Sequence, residues 1–171
     1  MKKRTVIAGI LALAGIICAG VAGYQYYQDR HAGKEYEDLK EKVVKEKQEE
    51  EPEEEKTPLD IPIDFEQLQS MNPEIYAWIR IPGSVIDYPI VQSDTDNAYY
   101  LTHDAENKDN AAGAIFTEDY NTKTFEDPNT VIYGHGMTNG TMFNGLHQYM
   151  DRSYFDENRD IIIDLPETIL H

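Results

Sequence analysis

The sequence is poor in cysteine and in basic residues, and both shortages exclude classes of function. Its single cysteine, Cys18, provides neither a disulfide nor a cysteine-based metal site. Only 15 Lys and Arg residues stand against 32 Asp and Glu, for a net charge of −17. Because phosphate contacts need clustered basic side chains, this balance argues against a nucleic-acid partner. The sequence also lacks a P-loop, a Gly-x-Ser-x-Gly motif and a His-Glu-x-x-His motif, so no nucleotide, serine-hydrolase or zinc mechanism and no cofactor is predicted.

A long uncharged segment follows a short basic flank at the start of the chain. Residues 1–4 carry the basic charges, and residues 5–23 carry no charge at all. About 20 apolar residues span a bilayer as a helix, and a basic flank stays on the cytoplasmic side. We therefore expect a single-pass cell-membrane anchor over residues 5–23, with a cytoplasmic N-terminus and an extracellular remainder. The alternative is a cleaved signal peptide with small residues at its cleavage site, residues 20–22.

A charged segment, residues 24–58, separates this anchor from the rest of the chain. Acidic and Lys residues at i, i+4 spacing favour a solvated helix. The Glu-rich run at residues 49–55 is interrupted by Pro52 and is expected to be extended. We interpret the segment as a charged helical stalk, although an acidic interaction surface is the alternative. It carries a narrow apolar stripe that could rest on a neighbouring surface: Tyr36, Leu39, Val43 and Val44.

Short apolar runs between turns dominate the remaining region, residues 59–171. Asp64 is placed to cap a first helix. Pro89 denies one ladder hydrogen bond to its strand, which argues for an edge or a bulge there. Strands at this close spacing predict a mainly β fold, a β-barrel or sandwich with short helices. The predicted strands cover residues 78–81, 85–91, 113–117, 130–133 and 160–165.

The leading candidate for chemistry is His135, between Gly134 and Gly136 after the predicted strand at residues 130–133. A histidine titrates near neutral pH and is the usual proton carrier, and flanking glycines let a substrate come close. A structural or surface histidine is the alternative interpretation. The acidic stretches at residues 94–97 and 104–109 lack the ligand spacing of an EF-hand. We interpret them as solvated loops, so no metal site is predicted.

Several short motifs occur in one order along the chain and resemble the class B sortases of Gram-positive bacteria. The likeness runs from about Asn72 to Leu165, and several motifs in register are more specific than any one of them. The motifs are Asn-Pro-Glu-Ile-Tyr-Ala-Trp-Ile at residues 72–79, Ile-Pro-Gly at 81–83, Ile-Asp-Tyr-Pro-Ile-Val-Gln at 86–92, Asn-Ala-Tyr-Tyr-Leu at 97–101, Gly-Ala-Ile-Phe at 113–116 and Tyr-Gly-His-Gly-Met at 133–137.

The resemblance implies a cysteine transpeptidase built on an eight-stranded β-barrel. In this family a cysteine thiolate attacks the Thr carbonyl of a C-terminal sorting signal, with a histidine as general acid and base and an arginine beside the oxyanion. An amine of a cell-wall precursor or of a pilin then resolves the thioester. By the matching motifs, His135 is the catalytic histidine, and Asn97, Leu101 and Tyr133 line the substrate groove. The implied partners are surface proteins with sorting signals and a cell-wall or pilin amine.

In the family, the strands that carry the catalytic cysteine and arginine come after the part that this chain matches, so they would follow His171. We expect an N-terminal portion of a sortase, with an incomplete barrel, that is inactive and unstable alone. One alternative is a non-catalytic, membrane-anchored surface module that keeps the groove for binding, and another is a tethered stalk without groove function. Residues 165–168 spell Leu-Pro-Glu-Thr, the core of a sorting signal, but we interpret them as a turn that ends a strand.

Overall fold

The computed structural model describes residues 2–44 and 61–171, without the side chains of residues 2–10 and 28–33. The first of these parts is one helix, α1, which covers Lys2–Val43. Among the helices of the described residues, none combines the length and apolar character needed to cross a membrane. The predicted extended run at residues 49–55 and the start of the domain at residue 59 lie outside the described residues.

A five-stranded mixed sheet forms the centre of the folded region, and it confirms the expected mainly β fold. The strands are β1 (Ile75–Arg80), β2 (Asp87–Val91), β3 (Ile115–Phe116), β4 (Ile162–Leu165) and β5 (Thr168–Leu170). Their spatial order is β3-β2-β1-β4-β5, in which only the β2–β3 pair is parallel. The helices are α2 (Phe65–Met71), α3 (Arg152–Glu157) and two 3-10 helices, η1 (Tyr99–Leu101) and η2 (Phe143–Met150).

The central strand β1 is buried on both faces. Ala77 and Trp78 point to opposite faces of the sheet, and both are fully buried. The indole Nε1 of Trp78 donates a hydrogen bond to Asp87 Oδ1 at 2.6 Å on the neighbouring strand. On the other side, Arg80 donates two hydrogen bonds to the buried carboxylate of Asp164 in β4, at 2.7 and 2.9 Å. Polar side chains therefore join β1 to both of its neighbours.

The capping signal at Asp64 is confirmed, whereas the edge expected at Pro89 is found only locally, because β2 itself is an inner strand of the sheet. Asp64 caps α2, because its Oδ1 accepts a hydrogen bond from the Gln67 backbone at 3.0 Å. Pro89 lies opposite Trp78 of β1, while the pairing of β2 with β3 begins only at Ile90. The proline therefore lies beyond the end of β3, where its missing donor leaves no gap in that ladder.

The predicted strand at residues 130–133 is wrong. Tyr133 makes a single antiparallel bridge to Phe116, and residues 131–133 are half-buried rather than buried on both faces. The backbone N–H of Val131 donates to the side chain of Asn121 at 3.0 Å, so it is not available to a strand. Apolar composition gave this segment the pattern of a strand, but only Tyr133 pairs with β3, and the Val131 N–H bonds to a loop side chain.

The C-terminal end of the described region is a β-hairpin. Strands β4 and β5 pair in antiparallel register, with Leu165 opposite Thr168. The interpretation of residues 165–168 as a turn is therefore confirmed, although the strand that follows was not predicted. β5 occupies one edge of the sheet.

The last turns of α1 pack against the domain, which confirms the apolar stripe. Tyr36, Leu39 and Val43 are 6%, 3% and 1% exposed and belong to the same core as the sheet. Lys40, on this part of the helix, forms an ion pair with Asp87 of β2 at 2.5 Å. Apolar burial and a charge pair thus fix the end of α1 to the sheet.

Candidate functional site

The backbone on both sides of His135 is fixed by hydrogen bonds to neighbouring segments. Before it, Tyr133 and Phe116 exchange two backbone hydrogen bonds at 2.8 and 3.0 Å. At His135 itself, the carbonyl oxygen accepts a hydrogen bond from the N–H of Phe143 at 2.9 Å. The histidine therefore lies in the long connection between β3 and η2, residues 117–142, and its position does not depend on a strand of its own.

The two glycines beside His135 serve different purposes. A Cβ atom at Gly134 would lie 2.4 Å from Cδ1 of Ile115 and 2.9 Å from Cδ2 of Phe143, so packing requires glycine there. At Gly136 a Cβ atom would meet nothing within 4 Å. Gly134 thus allows the chain to approach the core closely, whereas open space surrounds Gly136 next to the histidine.

The imidazole of His135 is held by one backbone carbonyl. Its Nε2 atom lies 2.9 Å from the carbonyl oxygen of Leu101, the last residue of η1. Because a carbonyl oxygen can only accept, this bond requires a proton on Nε2. In the neutral ring Nδ1 is then the atom that can take up a proton. The ring is half-buried, so a group arriving from solvent can reach it.

A second set of contacts links the other predicted groove residues. Asn97 and Asp119 exchange two hydrogen bonds, from Asn97 Nδ2 to Asp119 Oδ1 at 2.8 Å and from the Asp119 N–H to Asn97 Oδ1 at 2.9 Å. The next residue, Tyr120, has its hydroxyl 2.6 Å from that of Tyr133. The Tyr133 ring stacks on Phe116 with 5.3 Å between the ring centroids.

These contacts join the four predicted site residues in two groups, one around His135 and one around Tyr133. With the two residues that link the second group, we call them the groove wall: Asn97, Leu101, Asp119, Tyr120, Tyr133 and His135. Leu101 contacts His135 directly, and Tyr133 precedes it by two residues. Asn97 reaches Tyr133 through Asp119 and Tyr120. The roles of these residues remain predictions, since geometry alone does not assign them.

Tyr120 belongs to the groove wall but was not predicted from the sequence. Its side chain is 57% exposed, and its hydrogen bond with Tyr133 raises the pKa of Tyr120 to about 12. The hydroxyl therefore stays protonated at physiological pH and can act as a donor or an acceptor in the groove wall. No motif marks this tyrosine, and only its contact with Tyr133 identifies it.

The other candidate groups form contacts of their own. The His103 ring stacks on the Tyr99 ring with 4.0 Å between the ring centroids. Its Nδ1 lies 2.9 Å from the backbone carbonyl oxygen of Tyr99. His147 is exposed on η2. In the acidic loop, Asp104 Oδ1 accepts hydrogen bonds from the backbone of Glu106 and Lys108 at 2.9 and 3.0 Å. The Asp104 carboxylate therefore stabilises the turn of the loop that contains it.

Two curated proteins that are similar to this chain are both sortase B enzymes. Sortase B of Listeria monocytogenes is 44% identical over 91 residues, which are 53% of this chain and 37% of that protein. Sortase B of Staphylococcus aureus is 30% identical over 167 residues, which are 96% of this chain and 64% of that protein. The chain thus spans less than two thirds of the length of either relative. No protein-family model matches the chain.

Solved structures show the same relationship. Sortase B from Bacillus anthracis superposes with a TM-score of 0.64 at 34% identity, over 83% of this chain and 63% of that one. A Staphylococcus aureus sortase B–substrate complex superposes with a TM-score of 0.63 at 25% identity, over 84% of this chain and 62% of that one. The order of the motifs, the mixed sheet with short helices and these alignments agree. The chain is a class B sortase homologue.

Proposed function

We propose that the protein is a sortase-type cysteine transpeptidase in which His135 is the general acid and base. The observation that carries this proposal is the hydrogen bond from Nε2 of His135 to the Leu101 carbonyl, because it leaves Nδ1 as the ring atom that can take up a proton. The catalytic thiol is not Cys18, because that residue lies within the uncharged segment of α1. The family resemblance implies that a cysteine thiol and an arginine complete the site.

The chemistry would follow the order of an acyl transfer. His135 takes the thiol proton, and the thiolate attacks the Thr carbonyl carbon of the sorting signal. The C–N bond then breaks, and the imidazolium gives its proton to the departing amine. In the second half an amine acceptor attacks the thioester, His135 takes a proton from this amine, and the thiolate leaves. No cofactor takes part in these steps.

The substrates we propose are surface proteins that carry a C-terminal sorting signal. The groove wall supports this assignment, because it combines an exposed apolar residue, Leu101, with the polar side chains of Asn97, Tyr120 and Tyr133. An extended peptide needs both kinds of contact for orientation. The solved substrate complex of the Staphylococcus aureus relative is consistent with the same use of the fold. The acceptor we propose is an amine of the cell wall or of a pilin.

We also propose that residues 5–23 anchor the protein in the cell membrane, with residues 1–4 in the cytoplasm and the groove wall outside. The basic flank and the uncharged run of the sequence support this orientation. Replacing Leu13 and Ile16 by Arg places two charges in the segment and is expected to release the protein from membranes washed with carbonate. Replacing both residues by Ala is the control. Release of the unaltered protein by carbonate, or protection of the domain from external protease in intact cells, would contradict the proposal.

The enzymatic proposal is tested with the full-length protein. We would incubate it with a pool of sorting-signal peptides and search by mass spectrometry for cleavage and for a thioester adduct. His135→Ala is expected to lower turnover by roughly 100-fold or more, the usual contribution of general acid–base catalysis. His147→Ala, which removes an exposed histidine on η2, is the matched control. Equal activity of both variants would remove His135 from the mechanism.

A surface module that binds peptides without cleaving them is the second candidate. The observation that favours it is the single cysteine of the sequence, which lies in α1. Binding of a sorting peptide that shifts the NMR signals of the His135 ring, without any adduct or cleavage, would support the module and contradict the enzyme. A peptide pool that produces neither binding nor cleavage would leave the groove wall without function, as in the simple stalk hypothesis.

A further inference from the structure

The end of α1 contacts one loop of the domain through two adjacent side chains. Glu35 Oε2 accepts a hydrogen bond from Asn110 Nδ2 at 2.7 Å, and the Tyr36 hydroxyl donates to the carbonyl oxygen of Gly113 at 2.7 Å. We call residues 110–113 the docking loop. Tyr36 is 6% exposed, and burial raises the pKa of its hydroxyl well above the usual value, so the group stays a neutral donor.

The docking loop lies directly against η1. A Cβ atom at Gly113 would be 2.5 Å from the carbonyl oxygen of Tyr100 and 2.9 Å from that of Leu101, and the φ of Gly113 is +58°. Only glycine combines this conformation with so close an approach. Two backbone hydrogen bonds at 2.9 Å flank this contact: Asn110 N–H donates to the carbonyl of Thr102, the residue after η1, and Ala114 N–H, just after the docking loop, donates to the Tyr100 carbonyl in η1.

The carbonyl of Leu101 that touches the docking loop is the one that holds His135. Its oxygen lies next to Gly113 on one side and accepts the Nε2 hydrogen bond on the other. A movement of the docking loop would therefore change the direction in which this carbonyl points. A hydrogen bond weakens steeply when its angle departs from linear, so the state of the imidazole depends on the placement of the loop.

We propose that Tyr36 is a positioning residue for His135. Its hydroxyl holds the docking loop against η1, the loop orients the Leu101 carbonyl, and this carbonyl keeps the proton of the neutral imidazole on Nε2. Nδ1 is thereby kept free to accept a proton. The role rests on the proposed function of His135, and it makes the N-terminal helix part of the support of the groove wall.

Another contact of the same helix provides the matched control. Lys40 pairs with Asp87 on β2, and neither residue is part of the docking loop. Removing this pair weakens the attachment of α1 without touching the support of Leu101. Tyr36→Phe removes only the hydroxyl and keeps the ring, which packs edge-on against Tyr88 at 5.4 Å. Glu35→Gln keeps an acceptor oxygen for Asn110 and is the conservative variant.

The test is the tautomer ratio of His135 in the intact protein, measured from ring ¹⁵N chemical shifts at a pH where the ring is neutral. We expect Nε2–H to predominate in the unaltered protein. Tyr36→Phe is expected to lower the ratio of Nε2–H to Nδ1–H about fivefold, the weight of one hydrogen bond of ordinary strength. Lys40→Met and Glu35→Gln are expected to leave the ratio unchanged.

An unchanged ratio in Tyr36→Phe would overturn the proposal, and so would an equal change in Lys40→Met, since a general loosening of α1 would then explain both. The measurement needs no substrate and no turnover. A shifted ratio in a protein that never forms a thioester would therefore support the positioning role and contradict only the transpeptidase assignment.

Discussion

Asn97 and Asp119 hold each other through two hydrogen bonds, in which the amide of Asn97 both donates to the carboxylate and accepts from the backbone. This pair fixes the segment that carries Tyr120 and, through its hydroxyl, Tyr133. Asn97 was assigned to the groove by resemblance to the sortases, and the structure gives the residue a concrete task within the groove wall. It connects the loop before η1 to the loop after β3.

Replacing Asn97 by Asp is expected to weaken peptide recognition. The new carboxylate would repel Asp119 and lose a donor, at a cost of about 1 kcal/mol for one hydrogen bond. We expect the KM for a sorting peptide to rise about fivefold. Gln148→Glu, which introduces the same charge at an exposed position of η2, is the control. Equal KM values for the two variants would mean that the Asn97–Asp119 pair does not shape the groove.

The same substitution is expected to cost much more stability at Gly134 than at Gly136, the two glycines beside His135. Gly134→Ala forces a methyl group against Ile115 and Phe143 and is expected to lower the free energy of unfolding by about 1–3 kcal/mol, as overpacked sites do. Gly136→Ala meets no neighbour within 4 Å and is expected to change stability much less. Urea denaturation of both variants measures the difference. Similar losses would show that Gly136 is also packed.

The ion pair between β1 and β4 is expected to be essential for the sheet. Asp164 is fully buried, whereas the Arg80 side chain is 30% exposed. Arg80→Ala would leave a buried carboxylate without a partner, which destabilises a protein by about 3–5 kcal/mol. Arg152→Ala breaks an ion pair whose arginine side chain is 80% exposed and is expected to cost at most about 0.5 kcal/mol. Thermal unfolding distinguishes the two, and a small loss in Arg80→Ala would contradict the prediction.

Stability at alkaline pH is expected to depend on Tyr76. Burial raises the pKa of Tyr76 from 10.0 to about 12, although its hydrogen bond with Thr117 acts in the opposite direction. The neutral hydroxyl is favoured in the folded state, so this stabilisation is complete below pH 10 and is lost as the pH rises towards 12. The loss is of the order of 2 kcal/mol.

The measurement for Tyr76 is the free energy of unfolding of the unaltered protein and of Tyr76→Phe between about pH 9 and pH 12. Since phenylalanine cannot ionise, the variant is expected to lose less stability over this interval. The difference between the two proteins cancels the contribution of the other tyrosines. Parallel curves would show that the Tyr76 hydroxyl ionises as easily in the folded state as in the unfolded chain.

Local signals in the sequence predicted local structure well. The capping aspartate of α2, the apolar stripe of α1 and the turn at residues 165–168 each depend on neighbours within a few residues, and each is confirmed. The strand predicted at residues 130–133 failed because its apolar residues lie in a connection whose hydrogen bonds go to Asn121 and Phe116. Strand β5 was missed because it is only three residues long and is defined by its pairing with β4.

The sequence by itself indicated the relationship to the class B sortases and singled out His135 as the candidate for chemistry. Ordered motifs and the Gly-His-Gly segment are properties of the chain read in one direction, and they need no coordinates. Only the tertiary structure decided which carbonyl holds His135, that Tyr120 joins the groove wall, and that Tyr36 reaches Gly113 across 77 positions of the chain. The physical reason is that a hydrogen bond depends on distance and angle between atoms, and residues far apart in sequence acquire these only when the whole chain has folded.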